Sequence, residues 1–134
     1  MLKYSIAYAT SAVIFLMLDM VWLGFIAKDF YRSQIKHLMA DSFNIKAAVA
    51  FYVLYCIGLM FFAVRPALQD HDWRIALAYG AGFGFFAYLT YDLSNLATLK
   101  DYPTQFAFVD IAWGSFASAI TASIATVVAN KISS

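Results

Sequence analysis

The chain has few charged residues, a single cysteine and no cluster of basic residues. Only 13% of its 134 residues are charged, and the net charge is +1. This argues against nucleic acid as a partner, because binding to phosphates depends on clustered Lys and Arg. The lone cysteine, Cys56, excludes an internal disulfide and a zinc centre built from cysteines. Apolar side chains dominate instead: 63% of residues are hydrophobic and the mean hydropathy is +0.72, which predicts an integral membrane protein.

Four apolar segments reach the length of about 20 residues that a membrane-spanning helix needs. They cover residues 4–27, 45–64, 75–96 and 106–128. The first has no convincing cleavage site, so we expect an uncleaved span rather than a signal peptide. Short connections make neighbouring helices antiparallel. The sequence therefore predicts one all-α domain over residues 1–134, an integral membrane four-helix bundle with up-down-up-down topology.

The connections between these segments also carry structural signals. Residues 28–44 are too polar to span a membrane, but they contain an apolar helical face formed by Tyr31, Ile35, Leu38 and Met39. This pattern predicts a short amphipathic helix on the membrane surface between the first two spans. Pro66 is expected to end the second helix, and Pro103 is well placed to start the fourth.

Small residues repeat every four positions in the third and fourth segments. The two stripes are Ala76, Gly80 and Gly84, and Gly114, Ser118 and Ala122. Such stripes let membrane helices approach each other closely. We therefore expect close packing along both of these helices.

Three aspartates lie within the apolar segments: Asp19, Asp92 and Asp110. The predicted span directions place all three toward one membrane face, called side B here, opposite side A, which carries both termini. Side A carries four Lys and Arg residues and side B carries five, which favours side B in the cytoplasm by one charge and leaves a dual topology open. An Asp near the membrane centre costs about 2.5–3.5 kcal/mol on insertion scales. The three aspartates are therefore the candidate catalytic residues.

Each of these aspartates has a companion three residues later, on the same helix face. The companions are Trp22, Asn95 and Trp113. Other polar or aromatic residues are expected nearby on side B, and the candidate substrate-binding residues are Trp22, Trp113, Asn95, Tyr91, Lys100 and His37. Structural roles are the alternative: the tryptophans as interfacial belt residues, the aspartates in helix capping or helix packing, and His37 as a surface residue.

The segment that begins at Asp19 is partly repeated at Asp92. Asp19-x-x-Trp-Leu-Gly aligns with Asp92-x-x-Asn-Leu-Ala, and each copy continues to a Lys-Asp pair followed by an aromatic residue. The second copy is one residue shorter before its lysine. An internal duplication and an ordinary interfacial helix ending both explain this pattern.

Three blocks, LDMVWLG, YDLSNLATLKDYP and VDIAWGSF, resemble the signature blocks of a family of small bacterial four-helix membrane proteins, domain of unknown function 2177. The resemblance covers essentially the whole chain. It implies a multi-pass protein of the bacterial cytoplasmic (inner) membrane. The matching motif positions are Asp19, Trp22, Asp92, Asn95, Lys100, Pro103, Asp110 and Trp113. The resemblance implies no particular activity.

The first functional hypothesis is an enzyme that binds a lipid-soluble or amphipathic substrate within the membrane. Three close carboxyls in a low dielectric cannot all be ionised, so at least one is expected to hold a proton. A protonated Asp beside an ionised one can serve as an acid/base pair, and the indoles could stabilise a cationic intermediate. Asp19 is expected to be the acid or base, with Asp92 and Asp110 tuning it, and isomerisation, cyclisation or hydration of an unsaturated lipid would suit such a site. No cofactor is predicted. A divalent metal held by the three carboxylates and His37 is a variant of this hypothesis.

Two further hypotheses stay open at the level of sequence. One is a small transporter or binding protein for a cation or cationic amphiphile, in which Asp19 exchanges protons. Four spans with balanced Lys and Arg resemble small multidrug exporters, which work as dimers, and a homodimer is included on that analogy. The other is an accessory subunit whose Asp and Trp side chains bind another membrane protein. Membrane lipid is the expected surrounding in all three.

Overall fold

The computed structural model describes residues 2–42 and 44–133, and every regular element in these residues is helical. The expected domain ends at residues 1 and 134 lie outside this described part. The six α-helices in chain order are α1 (Leu2–Val21), α2 (Lys28–Ile35), α3 (Ile45–Leu59), α4 (Arg65–Gln69), α5 (Trp73–Thr98) and α6 (Thr104–Ile132). A π-helical turn, Trp22–Ile26, extends α1, and a second, Met60–Val64, joins α3 to α4.

Three continuous helical stretches are long and apolar enough to cross a membrane: Leu2–Ile26, Ile45–Gln69 and Thr104–Ile132. Helix α5 has 26 residues, enough for a span by length, but it is not among the three. Arg74 near its start and the polar residues of its second half, including Asp92 and Asn95, lower its mean hydropathy. The chain is thus all-helical with three candidate spans.

Pro66 does not end the second helix, contrary to the sequence-based expectation. The helical path runs from Ile45 to Gln69, and Pro66 lies in the first turn of α4, directly after the second π-helical turn. The first turn of a helix tolerates proline, since its missing N–H has no intrahelical partner there. A π-turn spaces hydrogen-bond partners five residues apart. The helix can therefore continue through Met60–Val64 and still place Pro66 in the first turn of α4. Pro103 takes the N-cap position of α6, as expected.

Side-chain caps fix the starts of two other long helices. Asn44 accepts a hydrogen bond from the backbone N–H of Ala47 at the start of α3, and Asp72 accepts one from Arg74 at the start of α5. Such caps satisfy backbone donors that a helix start leaves open. Hydrogen bonds from Arg74 also lower the pKa of the Asp72 carboxyl.

Helix α6 is the central element, packed against both α1 and α5. The two stripes of small residues meet here: a Cβ atom on Gly84 would collide with the Gly114 carbonyl and with Ser118, and one on Gly80 would lie 2.8 Å from the Ser118 carbonyl oxygen. The expected close packing is therefore confirmed for this helix pair. It fixes the relative position of the aspartates on α5 and α6.

Helix α2 occurs where the amphipathic segment was predicted, and a short 3₁₀ turn, Lys36–Leu38, follows it. Its side chains Tyr31 and Ile35 pack against a cluster made by Tyr102, Phe106 and Ala107. Part of its apolar face therefore covers the beginning of α6. This contact brings α2 to the end of the molecule where Asp110 lies.

Candidate functional site

Asp19 lies in the last turn of α1 and is 8% exposed. Its Oδ2 accepts a hydrogen bond from the Tyr52 hydroxyl of α3, and its Oδ1 accepts one from the Trp113 indole N–H of α6 at 3.1 Å. One carboxyl thus links three helices. Both carboxyl oxygens accept hydrogen bonds from neutral side chains.

Asp110 lies in the second turn of α6 and is 7% exposed. Its Oδ1 accepts a hydrogen bond from the Tyr31 hydroxyl of α2, and this hydroxyl accepts one from the Trp22 indole N–H at 3.0 Å. Burial first, and then the neighbouring Asp110 carboxyl, raise the pKa of Tyr31 above its ordinary value. Tyr31 therefore stays protonated at neutral pH and remains a hydrogen-bond donor to Asp110.

The two tryptophans join these hydrogen-bonded groups into one network. The rings of Trp22 and Trp113 are stacked with centroids 4.5 Å apart and an interplanar angle of 3°. Trp22 belongs to the group around Asp110, and Trp113 to the group around Asp19. The first π-helical turn begins at Trp22, so the local change in helix geometry coincides with this stack. Turns of this kind are frequent at functional sites.

Asp92 is completely buried on α5. Its Oδ1 accepts a hydrogen bond from the Tyr102 hydroxyl at 2.7 Å, whereas its Oδ2 has no hydrogen-bond partner within the described residues. The Asp110 carboxyl is close enough to interact with Asp92. Burial, followed by the hydrogen bond to Asp92, raises the pKa of Tyr102. A proton held between the two carboxyls would supply the missing hydrogen bond.

The remaining predicted residues divide into two groups. Tyr91 and Asn95 lie beside the aspartates on α5, with Asn95 near both Tyr91 and Tyr102. Lys100 and His37 are exposed, and the His37 Nε2 lies 2.8 Å from the Asp101 carbonyl oxygen. This last contact places α2 and the loop before α6 at the same end of the molecule.

Two cavities adjoin at Asp110 and Tyr91, which line both of them. The inner cavity, about 260 Å³, is otherwise lined by Phe51, Tyr55, Ala87 and Tyr88. The rim cavity, about 450 Å³, is otherwise lined by Leu23, Gly24, Lys28, Tyr31, Arg32, Ile35, Met39 and Phe106. Of the three aspartates, Asp110 is the one that lines these two cavities.

The tyrosines that hold the carboxyls were not among the predicted substrate-binding residues. Tyr52 lies within the apolar α3, and Tyr31 and Tyr102 lie in connecting segments. A phenol inside an apolar helix is compatible with lipid exposure as well as with burial, so its partner depends on helix rotation. The available signal was the spacing of Tyr52 and Tyr55, three residues apart, which places both on one face of α3.

The structure also bears on the metal variant considered from the sequence. Within residues 2–42 and 44–133, no group of three or more His, Cys or acidic side chains is arranged to hold a metal ion. Tyrosine and tryptophan donors surround the carboxyls instead. The O–H and N–H groups of these side chains donate hydrogen bonds to the carboxyl oxygens.

A family model described as a predicted membrane protein, DUF2177, matches residues 4–127. The chain belongs to this family. Neither the curated proteins nor the solved structures contain a significant match. DUF2177 membership agrees with three apolar candidate spans in one helical chain. The family description names no activity.

Proposed function

We propose that this DUF2177 protein is a four-span, multi-pass protein of the bacterial inner membrane that binds a lipid-soluble substrate and processes it by acid/base chemistry. Helix α5 would be the fourth span, in an up-down-up-down bundle. The length of α5 and its close packing on α6 support this arrangement. Its polar half faces protein at Asp92, which is fully buried, and such burial is how membrane helices accommodate ionisable residues.

The observation that carries the proposal is the position of Asp110 between the two cavities. Asp110 would be the group that exchanges a proton with the substrate. Asp92, buried behind it with an oxygen that lacks a hydrogen-bond partner, would share a proton with it. Two carboxyls that share one proton can act as acid and base in turn. Asp19, the acid or base expected from the sequence, has both oxygens hydrogen-bonded, and in this proposal it holds the tryptophan stack in place instead.

Migration of a carbon–carbon double bond is one reaction that suits this arrangement. A carboxylic acid adds a proton to one carbon, and a carboxylate removes a proton from another, so atoms and charge balance without a cofactor. A transporter is the less favoured alternative. Asp110 lies only about 9 Å along α6 from its first residue, at 1.5 Å per residue, whereas alternating-access sites usually lie near the midplane.

Solvent deuterium gives a direct test. Membranes that contain the wild-type chain are incubated with bacterial lipid extract in deuterated buffer, and the lipids are analysed by mass spectrometry. We expect carbon-bound deuterium in a lipid species with the wild type, and at least a hundredfold less with Asp110→Asn, given the usual contribution of about 10²–10⁴ from general acid–base catalysis. Asp41→Asn, at an exposed loop position, is the matched control and should resemble the wild type. Equal incorporation with wild type and Asp110→Asn would contradict the proposal.

A further inference from the structure

We propose that the ligand of this site is a single-chain amphiphile with an anionic oxyanion headgroup, a phosphate or a carboxylate, bound by Lys28 and Arg32. This inference deepens the proposed function and rests on it for the chemistry, although binding can be measured separately. Its basis is the different character of the two adjoining cavities. One end is basic, and the other end is aromatic and apolar.

The basic end is formed by Lys28 and Arg32, which are four residues apart on α2 and therefore share a helix face. Both line the rim cavity and are exposed. Within the described residues, neither Lys28 nor Arg32 forms an ion pair with an acidic side chain, in contrast to Arg74, which pairs with Asp72. Two cations without acidic partners in one cavity favour an anion, and arginine binds phosphate or carboxylate through paired N–H donors.

The location of these cations also fits a lipid headgroup. Lys28 begins α2 directly after the candidate span Leu2–Ile26, so both cations lie where the membrane interface is expected. Lysine and arginine near the ends of spans extend their charged groups toward this level. An anionic headgroup at the same level would keep its charge out of the hydrocarbon region.

The apolar end is the inner cavity, walled by Phe51, Tyr55, Ala87 and Tyr88. Together the two cavities fall within the range of about 300–1,000 Å³ typical of small-molecule sites. A chain entering from the rim cavity passes Asp110 and Tyr91, which line both cavities, before it reaches the aromatic walls. The proton-exchanging carboxyl would therefore act near the headgroup end of the chain.

Dodecyl phosphate is the probe for this site. The purified chain in non-ionic micelles is titrated with it, and native mass spectrometry counts bound molecules. We expect one molecule per chain, and an apparent Kd that rises about tenfold or more in Lys28→Gln/Arg32→Gln, as expected for lost charge-assisted hydrogen bonds. The control Lys36→Gln/Lys46→Gln removes the same charge from residues that line neither cavity. It should bind like the wild type.

The apolar cavity is tested with a filling substitution. Ala87→Phe should weaken dodecyl phosphate binding about tenfold, whereas Leu93→Phe, at an exposed position that lines neither cavity, should not. Inorganic phosphate should bind much more weakly than dodecyl phosphate. Equal affinity for inorganic phosphate and dodecyl phosphate would show that the site binds free oxyanions, and it would contradict an amphiphile as the ligand. Equal affinity for dodecyltrimethylammonium, or equal losses in the two double variants, would overturn the anionic headgroup.

The two proposals fail in distinguishable ways. Dodecyl phosphate binding tests the headgroup inference, and deuterium incorporation, which Asp110→Asn should lose, tests the acid/base function. If Lys28→Gln/Arg32→Gln keeps wild-type incorporation of deuterium, the headgroup inference fails and the acid/base function stands. If the wild type binds dodecyl phosphate selectively but incorporates no deuterium into any lipid, the function fails and the binding site stands.

Discussion

The three buried carboxyls are hydrogen-bonded by phenols and indoles rather than by cations. Tyr52 and Trp113 donate to Asp19, Tyr31 donates to Asp110, and Tyr102 donates to Asp92. Neutral donors satisfy a carboxyl without bringing a second charge into a region of low dielectric. Among the described residues, Lys28 and Arg32 at the rim of the site form no ion pair with these carboxyls. Residue by residue, the site separates proton-exchanging groups from charge-binding groups.

At the residue scale, removal of the Asp19 side chain should destabilise the folded protein, whereas replacement of Asp19 by its amide isostere Asn should be tolerated. Asp19→Ala leaves the Trp113 N–H and the Tyr52 hydroxyl without their acceptor, which should lower the free energy of unfolding by about 1–3 kcal/mol. In Asp19→Asn, the amide oxygen can accept from Trp113 and the amide nitrogen can donate to a reoriented Tyr52 hydroxyl. Reversible unfolding in mixed micelles measures both, with exposed Asp41→Ala as control. A loss in Asp19→Asn equal to that in Asp19→Ala would contradict this account.

The same residues show which features of the site can be predicted from the sequence and which cannot. Helix directions alone place Asp19, Asp92 and Asp110 toward one end, because each position along an apolar span corresponds to a depth. Their partners depend on rotation about each helix axis, and an almost uniformly apolar helix such as α3 gives little information about its rotation. Tyr52 was therefore missed, although its residue type and depth were visible.

At the scale of elements, the first π-helical turn explains why the two copies of the partial repeat differ in length by one residue. The segment from Asp19 to Lys28 is one residue longer than the segment from Asp92 to Lys100. A π-turn accommodates one extra residue within a helix, and Trp22–Ile26 forms such a turn while α5 stays α-helical from Trp73 to Thr98. The extra residue lies in the stretch that begins with Trp22, the residue stacked on Trp113.

The contact between α5 and α6 yields a prediction with a matched control on the same helix. In Gly84→Ala, the new Cβ would lie 2.7 Å from the Ser118 Cβ and would also collide with the Gly114 carbonyl oxygen. We expect a loss of about 1–3 kcal/mol in the free energy of unfolding, as for other overpacked sites. Gly82→Ala meets no atom within 4 Å, and it should be neutral or stabilising by up to about 1 kcal/mol. Similar losses in both variants would show that close packing does not limit this interface.

For the molecule as a whole, hydropathy and packing give different information about α5. A span that lies against other helices needs less hydrophobic surface than one surrounded by lipid, because only its outward face meets hydrocarbon. Asp92 is fully buried, while Phe86 on the same helix is 64% exposed. The lengths of the apolar segments predict four spanning helices, and the structure gives three candidate spans. Mean hydropathy alone underestimates a helix whose polar residues are enclosed by protein.

Cysteine labelling decides whether α5 crosses the membrane. The native Cys56 is buried, so Cys56→Ser provides a background for single cysteines at exposed Asp41, Asp70 and Lys100. If α5 spans the membrane, a membrane-impermeant maleimide applied to one side should label Asp41→Cys and Lys100→Cys alike, because the contact between His37 and the Asp101 carbonyl oxygen joins their loops at one end. Asp70→Cys should label only from the other side. Labelling of Asp70→Cys and Lys100→Cys from the same side would show that α5 does not cross the membrane and that the protein has three spans.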